Sequence, residues 1–312
     1  MSFNRVIVSE NGDSSVLQVV KDEILEPKPN EVQVKVLASG VAPGDIYRRK
    51  KPLSHAGLEP PYTIGYDIAG EVITVGENVK RFTSGQKVIG FSLATEDFPD
   101  PNMGGYTEYV NIPAIRLVEI AESVDPAKAV AIVLNYITAY YSLFHYAKPK
   151  KGERMLVHGG SGGVGSAALD LGKLANLEMY ATASKSKEDV VKLYGATPID
   201  YKSKKFVDVI KRLTNNTGVD IVLDSVSAEY TDLSFQLLRE GGRYVSFGWQ
   251  GLTDFSEDGF NREMEKLEIL NSNGNKKAYA YFGMEIDSSE DTLYQEYLSI
   301  LAKLLEEGKL IH

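Results

Sequence analysis

Five glycines fall within seven consecutive positions near the middle of this chain, from Gly159 to Gly165. An apolar segment, Met155 to His158, precedes them, and a segment with a helical apolar pattern, Gly165 to Leu174, follows. Glycine lets a strand-to-helix turn bend sharply and approach a pyrophosphate, and the helix then offers free N–H groups and the positive end of its dipole. The spacing G-x-G-x-x-G in this context predicts a dinucleotide phosphate site formed by Gly160, Ser161, Gly162, Gly163, Val164 and Gly165.

The segments after the glycine turn alternate between strand and helix patterns. Strands are predicted at Met155–His158, Met179–Ala183, Val219–Leu223 and Arg243–Phe247, and helices at Gly165–Leu174, Glu188–Leu193, Phe206–Leu213 and Ser227–Arg239. This alternation predicts a parallel sheet with helices on both faces, the doubly wound α/β arrangement of the Rossmann fold. Residues 250–277 are polar and give no clear pattern, and Ala278–Phe282 is predicted to be an edge strand.

The first third of the chain has a different pattern, with short apolar or alternating segments separated by glycine and proline. These predict strands at Asn4–Val8, Val16–Val20, Glu31–Leu37, Ile68–Val75, Lys87–Phe91 and Tyr106–Asn111. Short strands at this spacing are typical of a compact, partly closed β-barrel. Asp125 followed by Pro126 then predicts the start of a long helix. Ser288 to Asp291 resembles a capping box for a last helix that ends near Gly308.

Composition limits the kinds of partner. A chain of 312 residues suits two domains, and a formal net charge of −9 disfavours nucleic acid and anionic membranes. The absence of cysteine excludes disulfides, a thiolate nucleophile and a thiolate zinc site. Met1 to Glu10 is predicted to form a strand rather than a signal peptide, and we find no apolar run approaching the roughly 18 residues that cross a bilayer. We therefore expect a cytoplasmic protein without a membrane partner.

The end of the second predicted strand of the parallel sheet indicates which dinucleotide binds. NAD-binding folds usually have an acidic residue there, about 20 residues after the glycine turn, to bind the ribose 2′-hydroxyl. Here the strand Met179–Ala183 is followed by Ser184-Lys185-Ser186-Lys187. Hydroxyl donors and positive charge suit a 2′-phosphate instead. The sequence therefore predicts NADP(H), bound through Ser184 and Lys185.

Several other segments occur in the order expected for one known family. They are Gly40 to Arg49, Gly65 to Val72, Gly104 to Tyr109, Leu134 to Tyr140, His158 to Gly165 and Asp224 to Val226. Over nearly its whole length the chain resembles the zinc-free medium-chain dehydrogenases/reductases of the quinone oxidoreductase (zeta-crystallin-like) group.

The resemblance implies a division into domains and a set of cofactor contacts. Residues 1–125 and 287–312 would form a GroES-like β-barrel catalytic domain, and residues 126–286 an NADP-binding Rossmann domain. The resemblance implies that Thr138 lies near the nicotinamide and that Lys185 and Tyr201 hold the 2′-phosphate. The remaining implied cofactor contacts follow two strands of the Rossmann sheet and are Ser225, Val226, Phe247 and Gly248.

The resemblance also implies that no metal binds. Zinc-dependent relatives use cysteines and a Gly-His-Glu segment, whereas this chain has no cysteine and has Tyr66 and Asp67 where that His and Glu would be. The four histidines lack the spacing of zinc ligands. Ala42 replaces an asparagine that many quinone reductases have near the nicotinamide or substrate. The family usually continues beyond the equivalent of Gly308-Lys309-Leu310, so we expect either a truncated form or a barrel that closes differently.

The implied reaction is hydride transfer from NADPH to an electron-poor small molecule, a quinone or an enone. The protein would position this acceptor and exclude water. Tyr47 is the candidate catalytic residue in contact with substrate, and Tyr62 and Tyr66 are further candidates for lining the substrate pocket. Asp45 and His158 are interpreted as structural, Asp45 because it can anchor its segment by hydrogen bonds.

Three functions remain open at this point. The first is an NADPH:quinone oxidoreductase, and the second is a 2-alkenal or enoyl-thioester reductase that saturates a C=C bond. The third is a cofactor-binding protein with little turnover, which the replacement at Ala42 keeps open. The resemblance implies a homodimer in each case, and Ala278–Phe282 is the candidate interface strand.

Overall fold

The structure, a computed structural model, describes residues 2–50, 59–95, 97–202, 205–252, 257–272, 274–281 and 293–311. The chain divides into two compact units, Met1–Ile137 with Glu285–His312, and Thr138–Met284.

The first unit is built mainly from antiparallel strands. They are β1 (Ser2–Val8), β2 (Leu17–Glu23), β3 (Glu31–Ala38), β4 (Tyr62–Thr63), β5 (Asp67–Val75), β6 (Lys87–Phe91), β7 (Tyr109–Pro113) and β8 (Leu117–Ile120). They form a three-stranded sheet, β2-β1-β4, and a five-stranded sheet, β7-β3-β5-β6-β8, joined by a bridge between Arg5 and Thr107. The helices are Pro43–Lys50 and Leu293–Glu306, with 3₁₀ turns at Ser14–Val16 and Ala114–Arg116.

Alternating apolar residues explain why the five-stranded sheet forms. Val34 of β3 pairs with Val72 of β5, and both lie in a buried cluster with Ile68, Val88 and Ile112. Each strand thereby directs every second side chain into one core. The sequence patterns missed β4 and β8, which are two and four residues long. Segments this short do not show the alternation of apolar and polar residues that predicts a strand. The sequence patterns also began β7 three residues early.

One long helix, Pro126–Ala147, belongs partly to each unit. It begins as predicted, with the Asp125 side chain accepting a hydrogen bond from Ala127 N at 2.9 Å. Two stretches, Ile132–Tyr136 and Tyr141–Ala147, are π-helical. The sequence placed the domain boundary at the start of this helix, but residues 126–137 cluster with the first unit because this half packs on β3, β5 and β6. Which unit does which chemistry stays a prediction.

The same helix corrects one expectation from the sequence. It has the length and apolar composition of a membrane span, with a mean hydropathy of 1.2. Polar residues such as Asn135 and Ser142 interrupt the apolar run, although its average stays apolar. Of that window, 61% is buried inside the structure. Core helices of globular proteins pass the same test, so this helix alone does not indicate a membrane.

The second unit contains a six-stranded parallel sheet. Its strands are β9 (Arg154–Val157), β10 (Glu178–Ala183), β11 (Thr197–Asp200), β12 (Val219–Asp224), β13 (Leu238–Ser246) and β14 (Lys277–Ala280). Their order is β11-β10-β9-β12-β13-β14, so the direction in which strands are added reverses between β9 and β12. The helices are Gly163–Leu174, Glu188–Leu193, Phe206–Leu213, Glu229–Leu237 and Glu257–Ser272, with a 3₁₀ turn at Lys185–Lys187. A ligand of such a sheet binds at the carboxyl ends of the strands beside this reversal.

The helix Glu257–Ser272 was missed because its buried face is not purely apolar. Leu267 is buried and Met264 half-buried, but the buried position between Phe260 and Met264 is Glu263. A charged residue at a core-facing position breaks the apolar period that predicts a helix. The sequence patterns also missed β11, and β14 ends at Ala280. Phe282 and the capping box at Ser288 to Asp291 lie outside the described residues.

Candidate active site

The glycine turn follows β9 and leads into the helix Gly163–Leu174. Gly159 has φ +73°, and Gly160 N donates to Thr182 O at 3.0 Å. Gly162 N then donates to Gly159 O at 2.9 Å, which closes the turn. A Cβ on Gly165 would lie 2.2 Å from Gly159 O, so only glycine lets the helix start this close to the preceding backbone.

The amides at the start of this helix are suited to an anion. The first-turn N–H groups of Gly163, Val164 and Gly165 have no acceptor within the helix. Gly162 and Gly163 are exposed, and Ser161 and Val164 are half-buried. Free amides and the positive helix end favour a phosphate at this position. The turn therefore fits a dinucleotide pyrophosphate.

The residues predicted to bind a 2′-phosphate follow two neighbouring strands. Ala183 and Asp200 are partners in the parallel pairing of β10 with β11, so Ser184, Lys185 and Tyr201 leave the sheet at the same end. Lys185 is exposed and Tyr201 is 46% exposed. The Asp200 carboxylate accepts a hydrogen bond from Lys202 N at 3.1 Å. A phosphate at this end would meet one lysine and two hydroxyl-bearing side chains.

The residues after β12 and β13 form the other side of the glycine turn. Ser225 Oγ donates to His158 O at 3.0 Å. A Cβ on Gly159 would lie 2.6 Å from Ser225 Oγ. Phe247 N donates to Asp224 O at 2.9 Å, and Gly248 packs on the Ser225 backbone. The structure therefore brings Ser225, Val226, Phe247 and Gly248 together with the glycine turn.

A strained turn follows Val226, and no pattern in the sequence predicts it. Ser227 has φ +60° and Ala228 has φ +57° with ψ −119°. Each such conformation costs on the order of 1–3 kcal/mol for a residue other than glycine. Asp224 Oδ1 accepts hydrogen bonds from Val226 N at 2.7 Å and Ser227 N at 3.2 Å. Ser227 Oγ donates to Gly248 O at 2.8 Å and lies 2.7 Å from Ser246 Oγ.

His158 is buried, in agreement with its interpretation as structural. Its Nε2 lies 2.9 Å from Ser234 Oγ and its Nδ1 lies 3.2 Å from Thr182 Oγ1. Burial lowers its pKa, although the Asp224 charge acts in the opposite direction. The imidazole is therefore neutral at neutral pH and holds β9 to its neighbours.

Thr138 is buried, and its carbonyl accepts a hydrogen bond from Ser142 Oγ at 2.8 Å. Its predicted contact with the nicotinamide stays a prediction.

The three candidate substrate tyrosines have different environments in the first unit. Tyr47, on the helix Pro43–Lys50, is 40% exposed. Tyr62 is 1% exposed, packs with Val8 and Ile64, and donates its hydroxyl to Arg48 O at 2.9 Å. This burial favours a packing role for Tyr62 over contact with a substrate. Tyr66 is half-buried, and burial raises its pKa to about 12.

Two buried carboxylates hold the segment that carries Tyr47. Asp45 Oδ2 accepts hydrogen bonds from Ala42 N and Tyr106 Oη, both at 2.8 Å, which is the anchoring role expected for it. Asp67 accepts from Gly40 N at 2.8 Å. Burial raises the pKa of Asp67 to about 6, although backbone hydrogen bonds from Gly40 and Leu134 lower it. The sequence assigned no role to Tyr106, which lies far from Asp45 along the chain.

Across the described ranges, no group of three or more His, Cys, Asp or Glu residues has the arrangement of a metal site.

Comparison with known proteins agrees with these observations. Residues 28–122 match the family model of the alcohol dehydrogenase GroES-like domain, and residues 163–289 match the model named zinc-binding dehydrogenase. The human protein named quinone oxidoreductase is 31% identical over 98% of this chain and 87% of its own length.

Solved structures show the same relationship. The quinone oxidoreductase from Coxiella burnetii has a TM-score of 0.82 at 27% identity and covers 100% of this chain and 90% of its own. The CurK enoyl reductase has a TM-score of 0.84 at 26% identity, with coverages of 99% and 89%. The Escherichia coli quinone oxidoreductase complexed with NADPH has a TM-score of 0.80 at 25% identity, with coverages of 98% and 89%.

The antiparallel sheets of the first unit, the parallel sheet of the second and these matches define a medium-chain dehydrogenase/reductase, with GroES-like and Rossmann-type folds as predicted. Within that class, the chain belongs to the quinone oxidoreductase group and is an oxidoreductase.

Proposed function

We propose that this protein transfers hydride from NADPH to a quinone without a metal. The observation that carries the proposal is the carboxyl end of the parallel sheet, where free helix amides follow β9 and Ser184 and Lys185 follow the neighbouring strand β10. The amides fit a pyrophosphate, and the hydroxyl and the lysine fit a 2′-phosphate. A solved relative at 25% identity is complexed with NADPH, which supports the same cofactor here.

The chain's own residues would bind, orient and shield the reactants. A bound NADPH supplies the hydride. Gly160 to Gly165 would hold the pyrophosphate, and Lys185 with Tyr201 the 2′-phosphate, while Thr138 and the residues after β12 and β13 would orient the nicotinamide half. Tyr47 would contact the acceptor, and Tyr66 would keep its proton at neutral pH, since its pKa is about 12. Its phenol would therefore donate a hydrogen bond to a carbonyl oxygen of the acceptor.

A second candidate function is reduction of a conjugated C=C bond. The likeness to an enoyl reductase favours it, and a phenol that donates to the carbonyl of an enone would assist that reaction more than quinone reduction, in which solvent can protonate the product. A third candidate, a cofactor-binding protein with little turnover, rests on Ala42 in place of the asparagine of many quinone reductases.

Steady-state oxidation of NADPH and NADH tests these alternatives. The acceptor panel would contain ortho-quinones, para-quinones and α,β-unsaturated aldehydes. Turnover of quinones with NADPH preferred supports the proposal, and turnover of unsaturated aldehydes alone favours the second function. Binding of NADPH without turnover of any acceptor favours the third, and preference for NADH contradicts the role of Lys185.

The role of Lys185 has its own test with a matched control. Lys185→Glu should weaken NADPH binding by about 10–100-fold, because it removes one charged hydrogen bond and adds repulsion, and should leave NADH binding unchanged. Lys173→Glu makes the same charge change at an exposed residue in the last turn of the helix Gly163–Leu174. It should change neither affinity.

We further propose that the protein is a cytoplasmic homodimer that binds neither nucleic acid nor a membrane. β14 is the last strand in the order of the parallel sheet. Sedimentation at several concentrations would test whether this edge joins two copies of the chain.

A further inference from the structure

Four buried side chains behind the strained turn are held by two hydrogen bonds and a close contact between two hydroxyl oxygens, none of which the proposed function uses. Tyr244 donates to Asp224 Oδ2 at 2.8 Å, and its hydroxyl lies 3.1 Å from Thr231 Oγ1. Thr231 donates its one hydroxyl proton to Glu263 Oε1 at 2.5 Å, so its approach to Tyr244 is a close contact between two oxygens and not a further hydrogen bond. All four residues are buried, and Glu263 is only 5% exposed. We call Asp224, Tyr244, Thr231 and Glu263 the buried hydrogen-bond chain.

The buried hydrogen-bond chain ends at the backbone of the strained turn. Asp224 uses its other oxygen, Oδ1, to accept from Val226 N and Ser227 N. Burial raises the pKa of Tyr244 well above its ordinary value, so the phenol keeps its proton and donates to Asp224. The direction of the Asp224 carboxylate, and with it the position of Val226, is therefore set by Tyr244.

The helix Glu257–Ser272 holds the same turn at a second point. Lys266 Nζ donates to Ala228 O at 2.8 Å and pairs with Asp232 at 2.8 Å. One helix thus fixes Thr231 against Tyr244 through Glu263, and holds Ala228 through Lys266. Two positive φ values in a row persist only where surrounding contacts determine them, and these contacts do so here.

Stability alone does not explain a glutamate at this position. A buried carboxylate loses its hydration, and an apolar residue would pack there at lower cost. Glu263 does provide the acceptor that fixes the Thr231 hydroxyl beside Tyr244. Its placement suits a requirement for geometry at the turn.

We propose that Tyr244 and Glu263 are positioning residues for the nicotinamide half of the cofactor. The inference rests on the proposed function. In the sheet, β10 lies on one side of β9 and carries Ser184 and Lys185 at its end, while β12 lies on the other side. A dinucleotide with its pyrophosphate on the glycine turn and its 2′-phosphate beside Lys185 extends its other half toward the turn after β12.

The test compares two ligands, NADPH and 2′-phospho-ADP-ribose, which lacks the nicotinamide ring. Tyr244→Phe removes one hydroxyl from the buried hydrogen-bond chain without changing its packing. It should weaken NADPH binding about tenfold, the loss expected for one hydrogen bond to a charged acceptor, and leave binding of 2′-phospho-ADP-ribose within about twofold of the unaltered protein. A purely structural role would weaken both ligands equally.

Control variants separate positioning from folding. Tyr180→Phe removes a tyrosine hydroxyl from the same sheet, where it bonds Glu178 at the opposite end, and should change neither affinity. Glu263→Gln keeps an acceptor for Thr231 and should bind NADPH as the unaltered protein does. Glu263→Leu removes that acceptor but leaves the hydrogen bond from Tyr244 to Asp224, so it should weaken NADPH binding less than Tyr244→Phe does. If Glu263→Leu does not fold, the comparison of the two ligands on Tyr244→Phe decides the question.

Unchanged NADPH binding in Tyr244→Phe, or equal weakening of both ligands, would overturn the inference. Failure of the unaltered protein to bind either ligand would instead overturn the proposed function, and the inference with it.

Discussion

The two ends of the parallel sheet are built from different chemistry. At the amino end, arginines pair with acids. Arg154 pairs with Glu178 and Arg239 with Asp220 across neighbouring strands, and Arg243 of β13 pairs with Glu153, which directly precedes β9. The carboxyl end is built from glycines, hydroxyls and free backbone amides around the turns after β9, β12 and β13. Charged side chains that are paired with each other are not available to a ligand. Free backbone amides can bind a ligand, and a strained turn lowers the stability of the folded protein. The comparison agrees with the proposed function, in which the amino end stabilises the unit and the carboxyl end would bind the cofactor.

The largest expected effect is at the carboxyl end. Gly165→Ala places a Cβ 2.2 Å from Gly159 O, so the turn must open and its amides move away from the phosphate. NADPH affinity should fall by about 100-fold or more, measured by titration of the folded variant. Gly172→Ala, in the same helix, meets only the flexible ends of Met155 and Met179 and should bind NADPH normally. Affinity within threefold in Gly165→Ala would show that the phosphate lies elsewhere.

The next effect is on stability, at the amino end. Arg243 holds both carboxylate oxygens of Glu153, at 2.7 and 3.0 Å, and also donates to Ala147 O at 2.6 Å. Arg243→Ala should lower the free energy of unfolding by about 2–3 kcal/mol, since it removes several charge-assisted hydrogen bonds from a largely buried pair. NADPH affinity should not change. A loss of affinity without a loss of stability would break the comparison between the two ends.

Acid should affect the two ends in different pH windows. Burial keeps His158 neutral in the folded protein, while in the unfolded chain it takes up a proton below its ordinary pKa of 6.5. At this site the unfolded state then binds more protons, so the contribution of His158 to stability should fall by up to about 1.4 kcal/mol per pH unit as the pH drops below that value, whereas Asp67, with a folded pKa of about 6, acts in the opposite direction. Unfolding experiments between about pH 5.5 and 7.5, within about one unit of this pKa, should show this slope as the difference between the unaltered protein and His158→Gln.

Glu153 behaves differently from His158. Burial raises its pKa, but the hydrogen bonds and charge of Arg243 outweigh burial and leave the pKa below its ordinary value of 4.5. The stability it contributes is therefore present above that value and is lost only at lower pH.

The smallest expected effect comes from a half-exposed ion pair. Arg239 contacts Asp220 at 3.0 Å, but its side chain is 48% exposed. Arg239→Ala should cost about 0.5 kcal/mol or less, because solvent screens such pairs. A loss as large as that of Arg243→Ala would mean that the amino end acts as one coupled network, which a double variant would then measure as non-additivity.

The sequence by itself determined the class of fold and the position of the glycine turn between its strand and its helix. Glycine spacing depends on local backbone geometry, and alternating strand and helix patterns depend on local periodicity, so both can be read without tertiary contacts. The Asp125 cap and most strands of the parallel sheet were predictable for the same reason. Lys185 could be predicted as a candidate phosphate ligand because it follows the second strand, at the place where NAD-binding folds usually have an acid.

Only the tertiary structure decided which polar residues are buried and what they contact. Tyr62 looked like Tyr47 and Tyr66 in sequence, yet its hydroxyl is committed to Arg48 in a core. Glutamate is usually exposed, so neither the burial of Glu263 nor its hydrogen bond with Thr231 could be predicted from the sequence, and its helix was missed. Ser227 and Ala228 have positive φ values, but neither is a glycine, so the sequence does not predict this conformation. In each case residues distant in the sequence create the environment, and burial, not residue type, sets the role of a polar side chain.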